Sequence, residues 1–317
     1  MNRIPVFTFA AIGLVFACPA AWCSSEDAVT EYGAPTAFNG QEVRVFFTHK
    51  GPDIVALGVE VPAAAYDNAP TDPPSDGKYD TPVDADDPSK GVAWYCCGYE
   101  IPVDLPEAAQ QMTTFQYAIL NWNPQGHPPP GVYNAPHTDF HFYFMPEQER
   151  LSIGHARDSK SMCWLPNPMG SDPPKVPSPQ NCEQLAATAA ALPADQVPPG
   201  YQSLGASEAA MGDHLVSLGW HEFHGQPFTE ALIYTANAGH LTGMEPMAAL
   251  DWMRGLQEPQ RTVITMPAAF PKAGMYPTEY VVAYDRDQGL FRVSFENWKA
   301  FPASTGAAPA AVAASGR

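Results

Sequence analysis

Short runs in which apolar and polar residues alternate, separated by turn residues, dominate the chain. Glu42 to Thr48 (EVRVFFT) and Ile54 to Val61 (IVALGVEV) flank Gly51-Pro52-Asp53 and predict two strands with a turn between them. Gln116 to Trp122, His137 to Phe144 and Glu230 to Thr235 read as further strands. Glu279 to Tyr284 and Leu290 to Glu296, joined by Asp285-Arg286-Asp287-Gln288-Gly289, predict a hairpin. That loop has the Asp-x-Asp-x-Gly start of a calcium loop but not the rest of it, so it reads as a turn. Helical periodicity is scarce. Pro246 followed by Met247 to Gln257 predicts one helix with proline in its first turn, and the alanine-rich Cys182 to Leu192 predicts a short second one. The expected fold class is mainly β (α+β): a β-barrel or sandwich-like core with few short helices and long Pro-rich loops.

Two segments interrupt this pattern. Residues 63–90 hold seven aspartates and five prolines, and residues 162–201 are again proline-rich. Both read as loop insertions in a single globular domain spanning residues 40–300, with a disordered tail at 301–317. At the other end, Arg3, the uncharged apolar stretch Ile4 to Ala17 and the small residues that follow predict a signal peptide over residues 1–23. The apolar stretch is short of the ~20 residues of a membrane helix. A periplasmic or secreted protein without a membrane span is therefore expected. In such a compartment the four cysteines Cys96, Cys97, Cys163 and Cys182 suggest disulfides, with Cys163 and Cys182 bracketing a proline-rich loop and the adjacent Cys96 and Cys97 either pairing elsewhere or leaving one thiol free.

Composition changes the picture in two ways. The chain has 34 acidic against 16 basic residues, a formal net charge of −18, and that surface disfavours nucleic acid as a partner. Its 7 Trp, 13 Tyr and 16 Phe require a core and exclude disorder throughout. An unknown small molecule remains as partner, and a homo-oligomer is compatible with the sequence.

The histidines carry the chemistry. On a strand, His137, Asp139 and His141 share one face, while Thr138, Phe140 and Phe142 share the other. One face thus offers only metal-ligand side chains. His137 and His141 are about 13 Å apart along an extended strand, too far to share one ion without a bend. Asp139 with one histidine, completed from elsewhere, is the simpler arrangement. The further candidates are His127 in the Gly/Pro loop upstream, His214 in Met211-Gly212-Asp213-His214, and Glu245 at the start of the expected helix. The expected metal ligands are therefore His127, His137, His141, His214 and Glu245, with Glu245 or Asp139 as general base. Imidazoles with a carboxylate suit zinc, iron, manganese or copper rather than calcium. His221-Glu222-Phe223-His224 is a rival cluster, but Gly219, Gly225 and Pro227 predict a surface turn there. The sequence has no G-x-S-x-G, P-loop or G-x-G-x-x-G.

Asn121 to Pro129 (NWNPQGHPP) and Pro136 to Tyr143 (PHTDFHFY) resemble the N-W-N-P-x-G-H-x-P and P-H-x-D-F-H-F-Y motifs of an uncharacterised, often exported bacterial family of unknown function. Pro199-Gly200-Tyr201, Met211 to His214, Glu245-Pro246-Met247 and Tyr276 to Tyr280 extend the resemblance over residues 43–298. It implies a shared domain and no particular reaction. Thr138 departs from it, at a position where an aromatic is usual. The functions these readings leave are a metal-dependent hydrolase or lyase acting on a small molecule, a non-catalytic envelope protein that binds a metal or ligand, and a structural histidine cluster that holds no ion.

Overall fold

The computed structural model describes residues 27–72, 78–82, 91–93, 98–153 except 128 and 130, 187–208 except 189, and 210–306. The expected signal peptide, all four cysteines and residues 307–317 lie outside them, as does the first part of the expected alanine-rich helix.

Two antiparallel seven-stranded sheets make up the fold, and neither closes into a barrel. The first has the order β1 (Val29–Tyr32), β3 (Gln41–Lys50), β4 (Asp53–Pro62), β16 (Leu290–Phe301), β15 (Gly274–Asp285), β14 (Gln260–Val263), with β2 (Thr36–Phe38) paired to β3. The second has the order β10 (Tyr201–Glu208), β11 (Gly212–Ser217), β12 (Glu230–Asn237), β13 (His240–Ala249), β9 (His137–Tyr143), β8 (Tyr117–Asn123), β7 (Tyr99–Val103). A separate small ribbon pairs β5 (Lys78–Pro82) with β6 (Gly91–Ala93). The helices are short: α1 (Glu107–Met112), α2 (Glu147–Arg150) and α3 (Leu250–Gly255). No helix among the described residues is long and apolar enough to cross a membrane.

The sheets share one aromatic core, which is why the alternating runs fold this way. Phe115 stacks on Phe295 with centroids 5.4 Å apart, and Phe142 meets Phe295 edge-on at 5.1 Å. Such pairs contribute ~0.5–1.5 kcal/mol beyond their burial. Tyr66, in the segment expected to be an acidic surface loop, is instead a core residue. Its ring packs on Trp122 and Phe291, and its hydroxyl lies 2.8 Å from Thr138 Oγ1. Thr138, Phe140 and Phe142 of β9 thus point at the first sheet.

The opposite face of β9 is covered as well, so every residue of that strand is buried. Two smaller apolar clusters roof it. One joins Ile119 and Tyr143 to Met145, Ile153 and Met211; the other joins Met247 and Ile233 to Val132, Tyr133 and Phe228. The polar residues of β9 lie between them.

The helix expected from Met247 is a correction. β13 continues through Glu245, Pro246 and Met247 to Ala249, and α3 starts only at Leu250. Pro246 lies inside the sheet, opposite Leu232 of β12. Proline has no N–H to give a ladder, and the pairing of β13 with β9 passes from Met244↔Phe142 to Met247↔Asp139. Residues 301–306, the start of the expected tail, are tied to the fold: Ser304 Oγ donates to Asp195 Oδ1 at 2.7 Å.

Candidate metal centre

Strand register brings the chemistry together. Asp139 lies opposite Asn121 of β8 and Met247 of β13, and His137 lies opposite Asn123 and Ala249. Gly243↔Tyr143 and Met247↔Asp139 place the residue midway between, Glu245, opposite His141. Glu245 therefore reaches the site from mid-strand and not from a helix N-terminus. His214 sits within β11.

Two groups of donors result, each with its ligand atoms within 4.8 Å of one another: His127, His137 and Asp139, and then Asp139, His141 and Glu245. The first is fixed from behind. The Nδ1 of His137 lies 2.7 Å from the Ala135 carbonyl oxygen, so Nδ1 donates there and Nε2 is the ring atom turned toward the other donors. That Nε2 faces Asp139 Oδ1 at 3.0 Å, yet neither buried atom makes a hydrogen bond. His127 Nε2 lies 3.5 Å from Asp139 Oδ2, which also accepts from Asn123 Nδ2 at 2.7 Å. In the second group, His141 Nδ1 lies 3.3 Å from Glu245 Oε2, and His214 Nε2 lies 3.6 Å from the same oxygen. Buried Nε2 of His141 and Oε2 of Glu245 make no hydrogen bond. Unmet polar atoms at this depth cost about 1–3 kcal/mol each, and more when charged. An ion would meet that need in both groups.

Electrostatics separates the two carboxylates. Burial pushes the Asp139 carboxyl up, but the His137 and His127 rings outweigh it and hold Asp139 well below the usual carboxylate range. Burial, and then the Asp139 charge, push Glu245 well above that range. Burial likewise drives the His141 ring down to about 3, so it is a neutral imidazole at pH 7, as a metal ligand must be.

Of the residues expected from the sequence, His127, His137, Asp139, His141 and Glu245 converge, and His214 stands at the edge. Sequence reasoning missed three supports. Asn123 fixes Asp139, and its signal was the Asn-Trp-Asn alternation that puts Asn121 and Asn123 on one face. Tyr143 lies under His141, with rings parallel at 5.7 Å. Arg150 lies over the Tyr143 ring at 5.7 Å and pairs with buried Glu100. The rival His221–His224 cluster forms a single 3₁₀ turn, with the His221 side chain 40% exposed.

Gly126 sets the position of His127. Its φ is +75°, and a Cβ there would collide with the Tyr133 carbonyl and the Asn134 backbone. The next residue then bonds back, His127 N–H to the Tyr133 carbonyl at 3.1 Å. Gly126→Ala should cost at least about 1–2 kcal/mol for the left-handed backbone, and the collision adds to it. It should also weaken metal binding by roughly tenfold, the scale at which supporting residues act. Thermal melting and metal titration read the two effects separately, and an unchanged affinity would remove His127 from the ligand set.

Comparison with family models, with curated proteins and with solved structures gave no match.

Proposed function

We propose that this chain is an exported metalloprotein that uses a divalent ion for hydrolytic or lyase chemistry on a small molecule. The observation that carries the reading is the first donor group, in which His137 Nε2 and Asp139 Oδ1 face each other at 3.0 Å without a hydrogen bond between them. Two imidazoles and one carboxylate are a donor set for zinc, iron, manganese or copper. Three protein ligands leave a coordination position open, which is the mark of a catalytic rather than a structural site. A divalent ion there would supply Lewis-acid and water-activating chemistry. The side chain of His127 is 19% exposed while that of His137 is fully buried, so solvent reaches the group from the side of the Gly/Pro loop. Asp139 has one oxygen held by Asn123 and the other without a hydrogen bond, and serves as a ligand. Glu245 is the remaining carboxylate, available as a base or as a second-group ligand.

The alternative, a non-catalytic envelope protein that binds metal or ligand, draws on how closed the second group is: the His141 and Glu245 side chains are each only 2% exposed. Elemental analysis of the purified protein, with His137→Ala and His141→Ala as controls, tests the metal. At least one ion per chain is expected in the wild type, and one ion fewer in His137→Ala. Sub-stoichiometric metal unchanged in both variants would end the reading. For the choice between enzyme and binder, azide added to cobalt-loaded protein should shift its visible spectrum; a silent spectrum favours the binder.

A further inference from the structure

We infer that the site is built for two ions, with the Asp139 carboxylate shared between them; this rests on the metal reading above and extends it. The five donors do not surround one point. Metal–ligand bonds of about 2.0–2.2 Å keep any two ligands of one ion within roughly 4.4 Å of each other. Each group of three meets that limit with small adjustments, since its atoms lie within 4.8 Å of one another. The two groups do not merge into one, because His137 and His141 are four residues apart on a regular strand, about 13 Å in backbone terms. Asp139 stands midway between them and belongs to both.

The second group has its own independent sign of a missing partner. His141 Nε2 and Glu245 Oε2 are buried without a hydrogen bond, as His137 Nε2 and Asp139 Oδ1 are in the first. One ion in the first group would leave the second pair unmet. A carboxylate has two oxygens and about four lone-pair sites, so Asp139 can serve both ions and still accept from Asn123. His214, 3.6 Å from Glu245 Oε2, stands where it can complete the second group. The neighbouring buried cation, Arg150, pairs with Glu100 and with neither carboxyl group of the site.

The test is the stoichiometry of the full chain stripped of metal and reloaded with manganese. Two ions per chain are expected after desalting, with an electron paramagnetic resonance spectrum of exchange-coupled manganese. His137→Ala and Glu245→Gln should each retain one ion and show an uncoupled signal, because they strike opposite groups. A single ion in the wild type, lost in His137→Ala and kept in Glu245→Gln, would overturn the two-ion centre and leave the metal site standing. No ion in the wild type would overturn both. Two ions in Glu245→Gln would also overturn it, by placing the second ion elsewhere. The wild-type count and coupling decide the matter even if a variant fails to fold.

Discussion

Asp139→Asn is expected to abolish metal binding while leaving the fold intact. Asparagine keeps the volume and one acceptor oxygen, so the hydrogen bond from Asn123 at 2.7 Å survives. Its amide can also donate to His137 Nε2, which faces Oδ1 of Asp139 at 3.0 Å with no hydrogen bond. Without metal, the variant should therefore be as stable as the wild type to within about 1 kcal/mol, since one unmet pair becomes a neutral hydrogen bond. The loss lies in affinity. The substitution removes the only carboxylate of the first group and the member common to both. Supporting residues around metal sites cost 10- to 100-fold when changed, so removal of a charged ligand should cost about 100-fold or more. Thermal melting with and without metal exposes the contrast. Metal at 100 times its dissociation constant stabilises the wild type by ~2.7 kcal/mol per site, and the variant at the same concentration should barely respond. An equal rise in melting temperature in both proteins would show that Asp139 is no ligand.

The strands were legible because a period of two survives wherever one face is buried. β3, β4 and β9 fall within two residues of where the alternation puts them, and the His137–Asp139–His141 face follows from that period alone. What the pattern could not convey is how the outer face of the second sheet is covered. A strand with polar residues on one face reads as half exposed, yet β9 is buried on both sides by segments distant in sequence. Glu245 shows the second limit. Proline just ahead of Met247 to Gln257 resembles a helix start, and a central strand is a rare place for it. Sheet packing overrode that local preference. The result moved Glu245 from a helix end to a cross-strand position opposite His141, where it closes the second group. Arg150 was invisible for a third reason: a lone arginine in a Glu-rich stretch looks like a solvated charge, and only long-range contact with Glu100 accounts for its burial.

That ion pair carries the largest expected effect on stability. Arg150 and Glu100 side chains are 0% and 2% exposed, and their charged atoms meet at 2.5 Å. Arg150 also donates from Nη1 to the Ala210 carbonyl at 3.2 Å and covers the rings of Tyr117 and Tyr143. Burial and the Glu100 charge work against each other in Arg150, and the acidic neighbour prevails, so the guanidinium stays charged. Arg150→Met preserves much of the stem packing but leaves Glu100 buried without its partner. A loss of about 3–5 kcal/mol in unfolding free energy by urea titration is expected, the range for a buried pair broken on one side. Glu100→Leu combined with Arg150→Met should recover most of that loss, because two apolar residues do not carry the desolvation cost that a lone charge does. The double variant also separates stability from site geometry. Tyr143 lies between Arg150 and His141, with its ring parallel to the imidazole. If Arg150 matters to the site by seating Tyr143, metal affinity should stay reduced in the double variant after stability has returned. Full recovery of both would make the pair a brace for the fold alone. If Arg150→Met costs under 1 kcal/mol, Glu100 must already be neutral in the folded protein, a state toward which its burial pushes it.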